Sequence, residues 1–238
     1  MAHVMTAAEV EAWGQHYDRL PPAIKFPGLD KGTQVVESGM KSWAWLCEGR
    51  EPQPGEVVLD VGFGSAKLVA PVACSGLGLT YHGVDCRLLS VAWAREQFRH
   101  RLVGDRLNFH YVDARTPMYN PHGTVPPEEF TIPLPSRCVH SVVAYSLFTH
   151  LETMPVAARY LEEIHRVMVP GGISLITWFR SPPNDVEIDA KRTVYKEEEI
   201  RSLYWDRFEV VSEAGGATTA VHDQWRILAT KLPGPWTP

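Results

Sequence analysis

Residues 57–68 read Val-Val-Leu-Asp-Val-Gly-Phe-Gly-Ser-Ala-Lys-Leu. An apolar run ends in Asp60, Gly62 and Gly64 follow at alternate positions, and a helix-like segment opens behind them. This is the pattern of a strand that enters a tight glycine turn and leaves it as a helix. Glycine lets a backbone approach a ligand closely, and a helix start offers free N–H donors to an anionic group. A nucleotide-like cofactor is therefore the first functional expectation.

Downstream of this turn, strand and helix patterns alternate. Strands are expected at Val57–Asp60, Tyr81–Asp85, Leu107–Val112, Val142–Tyr145 and Ile173–Phe179, then near 208–212 and 225–231. Helices are expected directly after the glycine turn, through Leu68, Val69 and Val72, and over about 88–102, 152–168 and 195–204. Ala157, Leu161, Ile164 and Met168 recur at helical spacing, and Pro170-Gly171-Gly172 is expected to stop that helix before the fifth strand. Such alternation predicts a mainly parallel sheet wrapped by helices, with ligands beyond the C-terminal strand ends at the topological switch point.

Two segments stand outside this rhythm. Residues 1–50 carry helical spacings at Val10, Trp13 and Tyr17 and again at Val36, Met40, Trp43 and Cys47, broken by Pro21, Pro22, Pro27 and Gly28. They read as a helical cap within the same domain as residues 51–238. Residues 115–137 hold six of the chain's nineteen prolines. A long ordered loop at a strand's C-terminal end is either a substrate loop or a stiff surface insertion.

Composition bounds the function classes. The chain has 238 residues, 45% hydrophobic, with a formal net charge of −5. That length supports one sizeable α/β domain. An acidic balance argues against broad binding to a phosphate backbone. Cys47, Cys74, Cys86 and Cys138 show no CxxC or zinc spacing, so reduced thiols in a cytoplasmic protein are expected. The acidic residues form no tight cluster that suggests a metal, the N-terminus shows no signal-peptide pattern, and no apolar run reaches membrane-spanning length.

The choice of cofactor turns on the residues around the glycine turn. Lys67 stands where the dinucleotide fingerprint needs its third glycine, which weakens a nicotinamide reading. Asp85 ends the second strand, where a carboxylate can accept from a ribose diol. Asp113 ends the third, within reach of an adenine amine.

With Asp60-Val61-Gly62-Phe63-Gly64-Ser65, Asp85, Asp113 and the run Tyr160-Leu161-Glu162-Glu163-Ile164-His165-Arg166-Val167-Met168-Val169-Pro170-Gly171-Gly172, residues 55–231 resemble the class I S-adenosylmethionine-dependent methyltransferases of the small-molecule type. The resemblance implies a Rossmann-like three-layer α/β sandwich with a seven-stranded, mostly parallel sheet and one antiparallel strand near the C-terminal end. It implies S-adenosyl-L-methionine as cofactor, with Gly62 and Gly64 beside its methionyl and ribose parts and Asp60 orienting the turn or meeting the ammonium through water. Ser65 belongs to the same turn. Asp85 would take the ribose hydroxyls, Asp113 the adenine amine, and the Ala114 N–H would complete adenine recognition. Leu88 would pack on the adenine face, with a core position the equal alternative, and Tyr145 and Ser146 would lie near the methyl group. Ala66 departs from a glycine common in the family's motif, a small-for-small change expected to be tolerated. His140 or Ser141 stands where many members have an acidic residue.

The acceptor end is less defined. If the acceptor is a hydroxyl or a protonated amine, a general base helps, and His150, just past the fourth strand, is the candidate. Its structural alternative is to fix the loop-to-helix turn, and Tyr145 is a second catalytic candidate. Tyr17 in the cap, His150, Trp178 and Asp223 are candidate substrate-binding residues, with core packing the alternative for the aromatic ones. His110 and His122 have no convincing partners in the sequence.

Ala144-Tyr145-Ser146-Leu147 lacks the Asn/Asp-Pro-Pro-aromatic motif of nucleic-acid amino-methyltransferases, and no cysteine there supports cytosine chemistry. The expectation is a small-molecule methyltransferase acting at oxygen in metabolite biosynthesis or tailoring. The alternatives are N-methylation, a protein acceptor, a non-catalytic cofactor-binding scaffold, and an NAD-dependent oxidoreductase.

Overall fold

A computed structural model describes residues 5–25, 29–99, 106–180, 193–215 and 224–234. Its centre is a seven-stranded sheet in the order β3-β2-β1-β4-β5-β7-β6. The strands are β1 Val57–Val61, β2 Thr80–Asp85, β3 Leu107–Tyr111, β4 Val139–Ala144, β5 Met168–Trp178, β6 Phe208–Ala214 and β7 Trp225–Lys231. β1 to β5 are mutually parallel, and β7 runs antiparallel to both its neighbours. The helices are α1 Ala7–Tyr17, α2 Gly32–Gly49, α3 Val69–Cys74, α4 Leu88–Phe98, α5 Met154–Val167 and α6 Glu197–Tyr204.

The sheet is covered on both faces, which explains its unbroken apolar strands. Val58 and Val143 pack in one cluster with Trp43, Leu46, Leu68 and Phe98, while Leu59, Val142 and Ile176 pack in the other with Leu161, Ile164 and Tyr204. The chain leaves β1 toward β2 and β3 on one side, then returns to place β4 on the other. The crevice between β1 and β4 is the switch point where open α/β sheets take ligands.

Two local expectations are corrected. The helix after the glycine turn does not start at once: Gly62, Gly64 and Ala66 all have positive φ (71°, 54° and 54°), so helical geometry begins only at Val69. Ala66 thus occupies a left-handed position where an L side chain costs about 1 kcal/mol. The second correction concerns Pro170-Gly171-Gly172, which lies inside β5. Pairing begins at Val139↔Met168, slips, and resumes at Ser141↔Ile173. Gly171 takes φ 76°, and a Cβ on Gly172 would sit 3.0 Å from the Val169 carbonyl oxygen, so the motif builds a bulge.

On the outer strands, His82 Nδ1 and His110 Nε2 lie 2.9 Å apart. One ring's N–H donates to the other's bare nitrogen, and charging both rings would bring like charges together. Burial and then His110 hold the His82 imidazole down to about 4. An unfolded histidine takes its proton near pH ~6.5. Between those values the unfolded chain binds more protons, so stability falls as pH falls from about 6.5 to about 4. The His82→Asn variant should show a shallower fall in thermal midpoint over that window. An identical pH profile in the variant would remove the pair from the acid response.

Candidate functional site

A cavity opens at the switch point, where small-molecule sites of α/β sheets occur. Its floor is the glycine turn, with Val61, Gly62 and Gly64 on the wall. Gly62 N–H donates to the Val84 carbonyl at 2.7 Å, and a Cβ added to Gly62 would lie 3.1 Å from Leu147, so the turn is packed tight where the wall forms. The helix after it has six residues and a buried start, and alternate amides of the turn are spent locally. Gly64 N–H donates to Asp85 Oδ2 at 2.8 Å and Ala66 N–H to the Phe63 carbonyl at 2.8 Å.

Asp85 is the hinge of the site. It lies on the cavity wall with 7% exposure. Oδ2 holds the glycine turn, and Oδ1 accepts the Arg87 N–H at 2.7 Å, which fixes the start of α4. Burial pushes its carboxyl above the usual range, opposed by those amide donors. A carboxylate accepts about four hydrogen bonds, so beside the Gly64, Arg87 and Cys86 backbone donors some capacity remains for a diol.

Tyr145 and Ser146 are also on the wall. Lys67 Nζ sits 3.5 Å from the Tyr145 ring centroid, and Trp45 stacks with that ring at 6.0 Å and 18°. Arg226 covers Trp45 at 3.9 Å. Burial raises the Tyr145 phenol, so it remains a donor at neutral pH. Ser146 has φ 58°; its N–H donates to Thr177 Oγ1 at 2.7 Å and its Oγ accepts from Gln224 Nε2 at 2.6 Å. A strained residue pinned on both sides is a mark of a functional loop.

Asp60 and Ser65 lie behind the turn. Asp60 accepts from the Tyr81 hydroxyl at 3.0 Å. Burial pushes its carboxyl up and the neighbouring Lys67 ammonium down, while each charge supports the other. Ser65 Oγ is buried with no hydrogen-bond partner, an unsatisfied polar atom inside the glycine turn. Tyr17, 1% exposed, donates from its hydroxyl to the Ala66 carbonyl at 2.8 Å and so braces the turn from the cap.

Other expected residues stand away from the cavity. Trp178 is fully buried, with Nε1 donating to the Tyr204 hydroxyl at 3.1 Å, so it is core and touches no ligand space. Leu88 is 60% exposed and outside the wall. Ala114 is fully buried, and its N–H donates to the Val112 carbonyl. Asp113 is consumed inside its own loop, by Tyr111, Asn120 and Thr124. Asp223 lies outside the described residues.

His150 is on the wall, with Nε2 at 3.3 Å from the Tyr119 hydroxyl. Tyr119 and Thr116, from the proline-rich segment, form the opposite side with Arg87, while Phe130 and Tyr160 stack at 3.7 Å beneath. That segment is lashed to α5: Arg159 donates to the Phe130 carbonyl, and Arg166 to the Ile132 and Leu134 carbonyls. Sequence reasoning missed Arg87, Tyr119 and Tyr160. Only the proline density of 115–137 signalled that a wall would come from there. Among the described residues no group of three metal-binding side chains occurs, and no helix is long and apolar enough to cross a membrane.

Residues 59–176 match the family model described as "Methyltransferase domain". An S-adenosylmethionine-dependent methyltransferase from Aquifex aeolicus is 16% identical, with 96% of this chain and 100% of that chain covered at a TM-score of 0.59. Geranyl diphosphate C-methyltransferase from Streptomyces coelicolor A3(2), solved with S-adenosyl-L-homocysteine, is 11% identical over 96% and 100% at 0.60. The [4+2]-cyclase SpnF is 18% identical over 83% and 82% at 0.59.

Proposed function

Through residues 59–176 this chain belongs to the class I S-adenosylmethionine-dependent methyltransferases, and from that premise we propose that it methylates a small-molecule acceptor at oxygen. The cofactor, when bound, supplies a methyl group already activated on a sulfonium. Among this chain's residues the turn at Gly62–Ser65 and the Asp85 carboxylate fit its methionyl and ribose parts. The Asp85 oxygens on the cavity wall are the polar capacity that fit requires.

The observation that carries the acceptor reading is the Tyr119–His150 contact, two proton-handling groups 3.3 Å apart on an otherwise largely apolar wall. An imidazole there can take the proton that a hydroxyl acceptor loses as its oxygen attacks. The apolar wall of Val61, Val84, Leu147 and Leu151 excludes water and favours loss of the sulfonium charge.

The test uses radiolabelled S-adenosylmethionine with a panel of phenols, catechols, carboxylic acids and amines. Methyl ethers or esters are the expected products, and transfer only to the amines would overturn the oxygen assignment. On the acceptor so found, His150→Ala should lower kcat by about 100-fold or more, the usual worth of a positioned base. Its affinity for S-adenosylhomocysteine should stay within threefold. Undiminished turnover in the variant would leave His150 a structural role.

A further inference from the structure

The residues expected to recognise the adenine are not free to do so. Asp113 accepts from the Tyr111 hydroxyl at 2.6 Å, Asn120 Nδ2 at 2.9 Å, the Thr124 N–H at 3.1 Å and the Thr124 hydroxyl at 2.7 Å. Four bonds exhaust the acceptor capacity of a carboxylate. It lies off the cavity wall, and these donors hold its carboxyl well below the usual range, so it stays charged and stays bonded. Ala114 N–H is spent on the Val112 carbonyl at 2.7 Å.

The wall next to Asp85 has a different character. Cys86 follows it in the chain, and Cys86 Sγ meets Thr116 Oγ1 at 4.0 Å. Thr116 Oγ1 also accepts the N–H of Tyr119 and of Asn120, both at 3.1 Å, which fixes the turn that carries the Tyr119 ring. The Tyr119 hydroxyl lies 3.3 Å from His150 Nε2, and the Arg87 guanidinium lies 5.3 Å from the ring centroid. Arg87 is itself anchored to the Ala23 carbonyl in the N-terminal segment. A pre-positioned ring with a cation over it is a platform for a flat heterocycle.

Resting on the S-adenosylmethionine reading, we propose that the adenine is bound by its faces, through stacking on Tyr119 and Arg87, and not by its amino edge through Asp113 and Ala114. Asp113 is then a positioning residue, which builds the loop that presents Tyr119. Stacking of a base on an aromatic ring is worth about 1–3 kcal/mol and tolerates changes of the base, because every base has a π-face. A buried amine partner would reject an analogue that lacks the amine.

The experiment is calorimetric titration of the full chain with S-adenosyl-L-homocysteine and with S-inosyl-L-homocysteine, in which a carbonyl replaces the adenine amine. The wild type should bind both within threefold. Tyr119→Phe should keep that affinity. Tyr119→Ala and Tyr119→Leu should each lose tenfold or more, with circular dichroism showing that they remain folded at the assay temperature. The analogue leaves the protein unaltered, so that arm decides even where a variant fails to fold. Inosyl binding 30-fold weaker or worse, or full affinity in a folded Tyr119→Leu, overturns the inference. Binding of neither ligand by the wild type removes the cofactor reading and this inference with it, whereas discrimination between them removes this inference alone.

Discussion

Asp85→Ala should lower affinity for S-adenosylhomocysteine by 100-fold or more. Two hydrogen bonds from ribose hydroxyls to a charged acceptor are worth about 1.5–3 kcal/mol each, and about 2.7 kcal/mol already corresponds to 100-fold. The substitution also removes the acceptor that joins the glycine turn to the start of α4, since the Gly64 and Arg87 amides both donate to this carboxylate. Each amide left unsatisfied costs about 1–3 kcal/mol. Against this stands the relief of a buried carboxylate whose desolvation holds its carboxyl above the usual range. The two terms oppose, so the loss of stability should sit near the low end, about 2 kcal/mol. Asp85→Asn keeps one acceptor oxygen and should fall between. Titration calorimetry and urea unfolding read the two effects separately. Unchanged affinity in a folded Asp85→Ala protein would mean that the ribose is not held here.

Gly39→Ala should destabilise the protein, although the same change in most helix interiors stabilises by up to about 1 kcal/mol. Gly39 lies in the middle of α2, where the helix crosses the end of the glycine turn. A Cβ there would stand 2.0 Å from the Lys67 carbonyl oxygen and 2.8 Å from its carbon. Both atoms are backbone, so no rotamer change relieves the clash and the two segments must part. Overpacking of this kind costs about 1–3 kcal/mol or more, leaving a net loss of about 1–2 kcal/mol after the gain in helix propensity. Because the displaced partner is the turn that forms the cavity floor, S-adenosylhomocysteine binding should weaken along with stability. A urea midpoint at or above that of the wild type would show that α2 does not bear on the turn.

Much of the fold was legible because strands buried on both faces read as apolar runs bounded by breakers. β7 at Trp225–Lys231 lies where its apolar pattern placed it, and β2 and β3 depart by a residue at one end. The misreadings share a cause: backbone geometry that composition does not disclose. Ala66 takes a positive φ that delays α3, and Gly171 takes one that turns a helix stop into a strand bulge. Within the site, Gly62, Gly64 and Asp85 were legible because they sit at strand ends, where the topology fixes their neighbours. Asp113 sits at a strand end too, yet its bonds run to Asn120 and Thr124, and only the path of the loop brings those residues back. Tyr119 and Arg87 meet for the same reason. Tyr17 and Trp178 carry polar atoms that find buried partners, so aromatic residues named for a substrate prove to brace the turn and the core.

The most direct test of the cofactor site is parallel calorimetric titration of the purified chain with S-adenosylhomocysteine and with NAD. S-adenosylhomocysteine should bind at one equivalent per chain, and NAD should give no heat of binding. Silence from S-adenosylhomocysteine, or NAD binding that S-adenosylhomocysteine displaces with no preference, would contradict an S-adenosylmethionine site between the glycine turn and Asp85.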